Sequence, residues 1–214
     1  LEELVGHVGD GALSGSGLPA VLQAQGEAVA AVIRGIAQEK QAPFLHCADW
    51  PPSAVALSAR GARFTAGFPG LPAQEYEIRL PGAHQVDNAV TALAALSLLP
   101  EDLRVSPEAA RAGLRDAVWP GRLEWRGNLL LDGAHNPQGV RALREYAQDF
   151  LRDRRVAVLT GSMADKDVAA IAEGIAAIAD AVVCVSPEHM ARAVPAPELC
   201  GLYRGRTDKP VLAA

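Results

Sequence analysis

The sequence predicts an α/β protein of two units, the second a small doubly wound domain. Three observations carry this. Residues 19–47 read as strand, helix and strand; strand and helix alternate again from Leu129 onward; and between them Trp119-Pro120-Gly121-Arg122 separates helical from strand-like sequence. A chain of 214 residues, 50% of them hydrophobic, can form one large domain or one small domain plus part of another, and the Pro-Gly break favours two units.

Residues 1–18 are rich in glycine and serine from Gly6 onward and read as a loop. Pro19–Gln23 is a short apolar strand, and Glu27–Lys40 shows helical spacing through Val29, Val32, Ile33 and Ile36. Phe44–Cys47 follows as a second strand. Parallel strands need such a crossover, so a β-α-β unit is expected. From Trp50 to Leu80 the texture changes to short antiparallel strands at 54–59, 63–66 and 76–80, broken by Gly61 and by Pro69-Gly70-Leu71-Pro72. Tyr76 and Ile78 alternate with Glu75, Glu77 and Arg79, which suits a sheet with one face in water.

Pro81–Asn88 opens an alanine-rich helix over 89–98. His84, Gln85 and Asn88 then fall at or just before the helix start, either as caps or where a ligand meets unpaired N–H groups. A second helix spans 106–118, with Ser106 as N-cap, Pro107 at the first position and Glu108 in the first turn. It ends at the Pro-Gly break. Arg122 stands there as a cation able to pair with a phosphate when two domains close, or else as a surface arginine in an exchangeable salt bridge.

Leu129-Leu130-Leu131 reads as a parallel strand buried on both faces, ending at Asp132-Gly133 where such sheets place their ligands. His135 and Asn136 follow at once, and Pro137 can start a helix through Val140, Leu143, Arg144 and Ala147. One strand-turn-helix thus gathers a carboxylate, an imidazole and an amide, with a simple capping role for Asp132 as the alternative. The strand at 155–160 ends at Gly161-Ser162-Met163-Ala164-Asp165-Lys166-Asp167, a helix runs over 168–179, and the strand at 181–185 ends at Ser186-Pro187 before Arg192 and a helix at 197–203. Three strand ends bearing polar groups at one sheet edge point to a ligand site.

The net charge of −5 and the lack of any basic run argue against a nucleic-acid surface. Cys47, Cys184 and Cys200 are odd in number and widely spaced, which suggests neither a disulfide framework nor a metal site and fits a reducing cytoplasm. No apolar run reaches the roughly 18 residues of a spanning helix, and Leu1-Glu2-Glu3-Leu4 has no signal-peptide pattern, so no membrane partner is expected. The chain begins without Met, and a fragment of a larger protein is the expectation.

Four segments in order, Gly82-Ala83-His84-Gln85-Val86-Asp87-Asn88-Ala89, Trp119-Pro120-Gly121-Arg122-Leu123-Glu124, Leu131-Asp132-Gly133-Ala134-His135-Asn136-Pro137 and Gly161-Ser162-Met163-Ala164-Asp165-Lys166-Asp167, resemble the folylpolyglutamate synthase and dihydrofolate synthase family of Mur-ligase-like enzymes. The resemblance covers about residues 80 to 195. It implies residues 1–118 as the later part of a P-loop ATPase domain, 119–122 as a hinge, and 123–214 as a C-terminal Rossmann-like ligase domain. It also implies ATP and Mg2+ as cofactors, a folate or dihydropteroate and L-glutamate as substrates, and a monomer. The chemistry implied is phosphorylation of a carboxylate by ATP, attack by the amine of glutamate, and loss of phosphate.

By the same resemblance Asn88 would lie at the adenine and Arg122 at the ATP phosphates, while Asp132 would meet the ribose or hold the hinge. His135 would face the reacting phosphate or the incoming glutamate. Ser162, Asp165 and Lys166 are candidates for the glutamate or nucleotide side, with Lys166 equally a solvent-facing charge. No metal ligand is assigned. The family's phosphate loop has no match, because the glycines from Gly11 to Gly17 are followed by no Lys; nor has its Lys-Ala-Gly-Ile segment or its magnesium-holding His. The last strand, after Lys209-Pro210-Val211-Leu212, is expected to be cut short. The chain alone is therefore not expected to bind ATP competently. A Mur-type ligase acting on a UDP-sugar peptide is the first alternative, disfavoured by Asp132-Gly133-Ala134-His135-Asn136-Pro137; a non-catalytic α/β binding module is the second.

Overall fold

The computed structural model describes residues 18–187 and 189–214. The glycine-serine segment before Leu18 lies outside them. The chain divides into two compact units, one ending at Val118 and the other beginning at Trp119.

In the first unit, β1 (Ala20–Leu22) and β2 (Phe44–His46) pair in parallel, joined through helix α1 (Glu27–Glu39). The apolar positions of α1 recur at helical spacing, and Ala30, Ile33 and Ala37 form its buried face. Next comes an antiparallel sheet in the order β3 (Ser53–Ser58), β4 (Gly61–Phe68), β5 (Leu71–Ile78). Its alternation is as read: Tyr76 and Ile78 are buried while their neighbours face water. The Phe64 and Tyr76 rings lie with centroids 5.8 Å apart. Strand β5 starts at Leu71, five residues before the expected position. Leu71 is buried against the core, and Pro72, which cannot donate to a ladder, follows it at the strand's first turn.

Helix α2 spans Ala83–Ser97 and seats Val86, Ala89, Val90, Leu93 and Ala94 in the same core. It begins six residues earlier than expected, so His84, Gln85 and Asn88 lie within its first turns rather than before them. The sequence offers no cap signal there: the N-cap is Gly82, at φ 96°, and no side chain caps the helix. Helix α3 (Pro107–Asp116) does carry its signal, the N–H of Ala109 donating to Ser106 Oγ at 3.2 Å.

In the second unit, β6 (Glu124–Arg126) and β7 (Leu129–Leu131) form an antiparallel hairpin, after which come α4 (Pro137–Phe150), β8 (Ala157–Thr160), α5 (Val168–Ala176), β9 (Ala181–Cys184), α6 (Ala196–Arg204) and β10 (Val211–Ala213). Strands β10, β9 and β8 form a parallel sheet in that order, with the three residues of β10 paired to β9. Strand and helix alternate as expected, and the unit is a Rossmann-like α/β domain. Val158, Val182 and Val211 make one row of this sheet and pack with α5 and α6. The opposite row, Leu159, Val183 and Leu212, is open, with Leu159 69% and Leu212 60% exposed.

The three leucines correct the sequence reading. Leu129 is 65% and Leu131 43% exposed, and β7 pairs with β6 rather than with the parallel sheet. The loop between the strands is two residues, Gly127-Asn128, with Gly127 at φ 60°, and a turn of that length closes a hairpin. Only Leu130 packs inward, on the cluster of Leu123, Tyr146, Ala147 and Leu151. Accordingly two of the three polar ends, those after β8 and β9, leave the same sheet edge; Asp132 follows a hairpin strand.

Candidate functional site

The segment from Trp119 to Gly139 is drawn together by backbone groups. Leu123, buried and at φ 46°, donates its N–H to Asp132 Oδ2 at 3.0 Å, and Ala134 donates to Asp132 Oδ1 at 2.8 Å. Gly133 N–H reaches Gly121 O at 2.8 Å, and Gly121 N–H reaches Glu124 Oε2, also at 2.8 Å. Asp132 therefore ties the segment entering the hairpin to the loop leaving it, each carboxylate oxygen accepting one N–H. An amide at that position offers one acceptor where two donors need one each. Asp132→Asn is expected to lower stability by about 1–2 kcal/mol, read from the urea midpoint; an unchanged midpoint would show that water satisfies both N–H groups.

The Gly121 N–H, followed by the Arg126 guanidinium, holds the Glu124 carboxyl below its usual range. A carboxylate lowered by folding contributes stability above its unfolded pKa, and that contribution disappears as pH falls through the depressed value. The stability difference between the wild type and Glu124→Gln should accordingly close on acidification.

Arg122 lies between these two clamps. Its guanidinium rests 5.7 Å from the centre of the Trp119 ring, and a Cβ on Gly133 would stand 2.7 Å from Nη1. Among the described residues it forms no ion pair, so the salt-bridge alternative finds no partner. A planar cation stacked on indole, with its donors unspent on carboxylate, is suited to an anion. Two residues beyond Gly133, His135 is exposed and its Nδ1 lies 2.8 Å from Gly133 O. A carbonyl only accepts, so Nδ1 carries the proton and, in the neutral ring, Nε2 keeps its lone pair. Asn136 caps α4 by accepting from Gly139 N–H at 2.7 Å, with Pro137 at the first position.

After β8, Ser162 is buried and its carbonyl accepts from Val194 N–H. Asp165 pairs with Arg192 at 3.0 Å and with Lys166 at 3.6 Å. The sequence-predicted Ser162, Asp165 and Lys166 are thus grouped with Arg192. Both partners of Asp165 are solvent-exposed, and such pairs contribute little to stability.

In the first unit Asn88 accepts from Gln23 and donates to Gln85, whose amide nitrogen meets His84 Nε2. Neither Asn88 nor Gln85 caps α2, which removes the capping reading for both. Burial raises the Asp87 carboxyl and the Cys47 thiol. Among the described residues no group of three or more His, Cys, Asp or Glu side chains could hold a metal ion, and no helix is long and apolar enough to cross a membrane.

Residues 121–210 match the Mur ligase glutamate ligase domain. The dihydrofolate synthase/folylpolyglutamate synthase of Bacillus subtilis is 31% identical over 189 residues, 85% of this chain and 43% of the relative. The chain belongs to the folylpolyglutamate synthase and dihydrofolate synthase family. The folylpolyglutamate synthase of Lacticaseibacillus casei is 30% identical over 155 residues, 70% of this chain and 36% of that protein. A solved structure of Mycobacterium tuberculosis folylpolyglutamate synthase complexed with ADP superposes with a TM-score of 0.78 at 26% identity, covering 91% of this chain and 44% of that one. The chain thus spans less than half the length of these folylpolyglutamate and dihydrofolate synthases. For a chain of this family, the sequence reading missed two side chains beside its candidates: Gln23, 65 residues from Asn88, and Trp119, quoted in a motif but given no role. A Trp three residues before an Arg, across a Pro-Gly turn, was a usable signal for the second; nothing local marked the first.

Proposed function

We propose that the full-length protein is an ATP-dependent amide ligase that adds L-glutamate to dihydropteroate, to the glutamate tail of reduced folates, or to both. It acts on small molecules as a cytoplasmic monomer, with neither nucleic acid nor membrane as partner. The observation that carries the reading is Arg122, stacked on Trp119 and free of carboxylates, beside the loop of His135, in a chain of this family. Arg122 takes the phosphates of ATP and offsets charge as the phosphoryl group moves to the carboxylate. Asn88 takes the adenine. Asp132 fixes the backbone around Arg122 and His135. With Nδ1 engaged by Gly133 O, His135 Nε2 faces the transferred phosphate or the amine of glutamate, where it can orient that amine or take its proton. Ser162, Asp165 and Lys166 lie on the glutamate or nucleotide side. Mg2+ would accompany ATP and supply charge neutralisation at the phosphates; the described residues offer it no cluster of ligands.

The test is glutamate-dependent ADP release by the full-length protein, with dihydropteroate and tetrahydrofolate offered separately. Turnover with both marks a bifunctional synthase, and turnover with one names the activity. His135→Ala should lower the rate about 10²-fold, as for loss of a general base. A folded full-length protein that turns over neither acceptor would sink the folate assignment and favour another Mur-type ligase.

A further inference from the structure

We propose that Gln23 is a positioning residue that orients the Asn88 amide, and that the side-chain chain Gln23–Asn88–Gln85–His84 thereby selects adenine over 6-oxopurine nucleotides. The inference deepens the reading above and rests on Asn88 meeting the adenine. Gln23 Nε2 donates to Asn88 Oδ1 at 3.2 Å, Asn88 Nδ2 donates to Gln85 Oε1 at 3.1 Å, and Gln85 Nε2 lies 3.1 Å from His84 Nε2. Asn88 and Gln85 each turn the donor end of the amide to one neighbour and the acceptor end to the other, so the chain has a direction. Reversing one member reverses all. With Gln85 turning its oxygen to Asn88, its nitrogen donates and His84 Nε2 accepts, the ring carrying its proton on Nδ1.

The backbone that carries Gln23 is held. It follows β1, and two residues later Gln25 N–H donates to the buried His46 Nε2 at 3.3 Å, pinning the loop to the end of β2. Gln85 is buried as well, so the amide on the far side of Asn88 is fixed. Asn88 is the exposed member.

A primary amide has two hydrogens on nitrogen and two lone pairs on oxygen. The relay uses one of each, leaving Asn88 one donor and one acceptor side by side. That pair complements the edge of adenine, which shows an amino donor beside a ring-nitrogen acceptor. A 6-oxopurine puts an acceptor where adenine has its amino group, so it sets a lone pair against the outward oxygen of Asn88. The directed chain is thus a device for fixing which end of Asn88 faces the base.

The test compares ATP with ITP, which lacks the 6-amino group, in steady-state assays of the full-length protein. Gln23→Glu keeps the shape but only accepts, which favours the reversed Asn88 amide. The ratio of kcat/KM for ATP over ITP is expected to fall about tenfold, through a raised KM for ATP. Gln23→Ala, which frees the amide without reversing it, should fall between this variant and the wild type. Asn88→Ala separates the two layers of the argument. If Asn88→Ala collapses the ratio while Gln23→Glu leaves it at the wild-type value, or lowers both nucleotides equally, the positioning role is overturned and the adenine assignment stands. If Asn88→Ala leaves the ratio unchanged, the adenine assignment itself fails.

Discussion

Replacing Arg122 with alanine is expected to lower kcat/KM for glutamate-dependent ADP release by about 10³-fold in the full-length protein, the range seen when a charge-stabilising arginine is removed from phosphoryl transfer. The magnitude follows from the setting. The guanidinium is pre-placed on Trp119, and the backbone either side of it is closed by the Gly133-to-Gly121 bond and the Asp132 clamp, so little reorganisation is needed when charge develops. Arg122→Lys keeps the charge but loses the plane that stacks and the fork that grips two oxygens, and should recover only part of the loss. Gly133→Ala probes placement alone. Its Cβ would stand 2.7 Å from Nη1, so the end of the arginine must move although the fold need not. Activity within fivefold of the wild type for Arg122→Ala would remove Arg122 from the phosphate site.

The largest stability effect is expected at Gly61, where β3 turns into β4. Gly61 sits at φ 152°, and a Cβ there would lie 2.0 Å from the carbonyl oxygen of Ile78 on the neighbouring β5. A backbone atom cannot step aside as a side-chain end can. Gly61→Ala must break strand pairing or carry the clash, and should cost about 4 kcal/mol, seen as a lowered urea midpoint. The neighbouring Ala62, Phe64 and Ala66 place β4 in the core of the first unit, so the hairpin cannot simply lift away. A loss of less than about 1 kcal/mol would mean that the β4–β5 ladder shifts to admit the methyl group.

Where the sequence carried a local physical signal, the fold was legible from it. Ser106-Pro107 announced α3, the alternation at Tyr76 and Ile78 announced the face of β5, and the 3.6-residue spacing of Val29, Val32, Ile33 and Ile36 announced α1. The start of α2 was not legible, because Gly82 supplies a backbone turn and no capping side chain. Leu129–Leu131 misled because a run of leucines shows only that a segment is apolar. The two-residue Gly127-Asn128 loop held the better information, marking a hairpin whose strands face outward at alternate residues. At the candidate site, residues close in sequence were read together correctly: Asp132, His135 and Asn136 do share one loop. Contacts made through folding were not readable. The bond from Leu123 N–H to Asp132 needs the hairpin, and the bond from Gln23 to Asn88 needs β1 brought against α2.

The three buried cysteines give the molecule its own clocks. Cys47 lies in the core of the first unit, while Cys184 and Cys200 lie in that of the second, and all three are free thiols. Burial pushes the Cys47 thiol up, and burial together with the adjoining Cys200 pushes Cys184 up to about 12. Only the thiolate reacts with an alkylating reagent, so burial excludes the reagent from all three, and Cys47 and Cys184 are protected by protonation as well. Labelling must wait for each core to open, and its rate reports that opening free energy. Mass spectrometry of a single timed reaction, resolving the peptide with Cys47 from those with Cys184 and Cys200, would therefore time the loosening of the two halves separately, with no probe added.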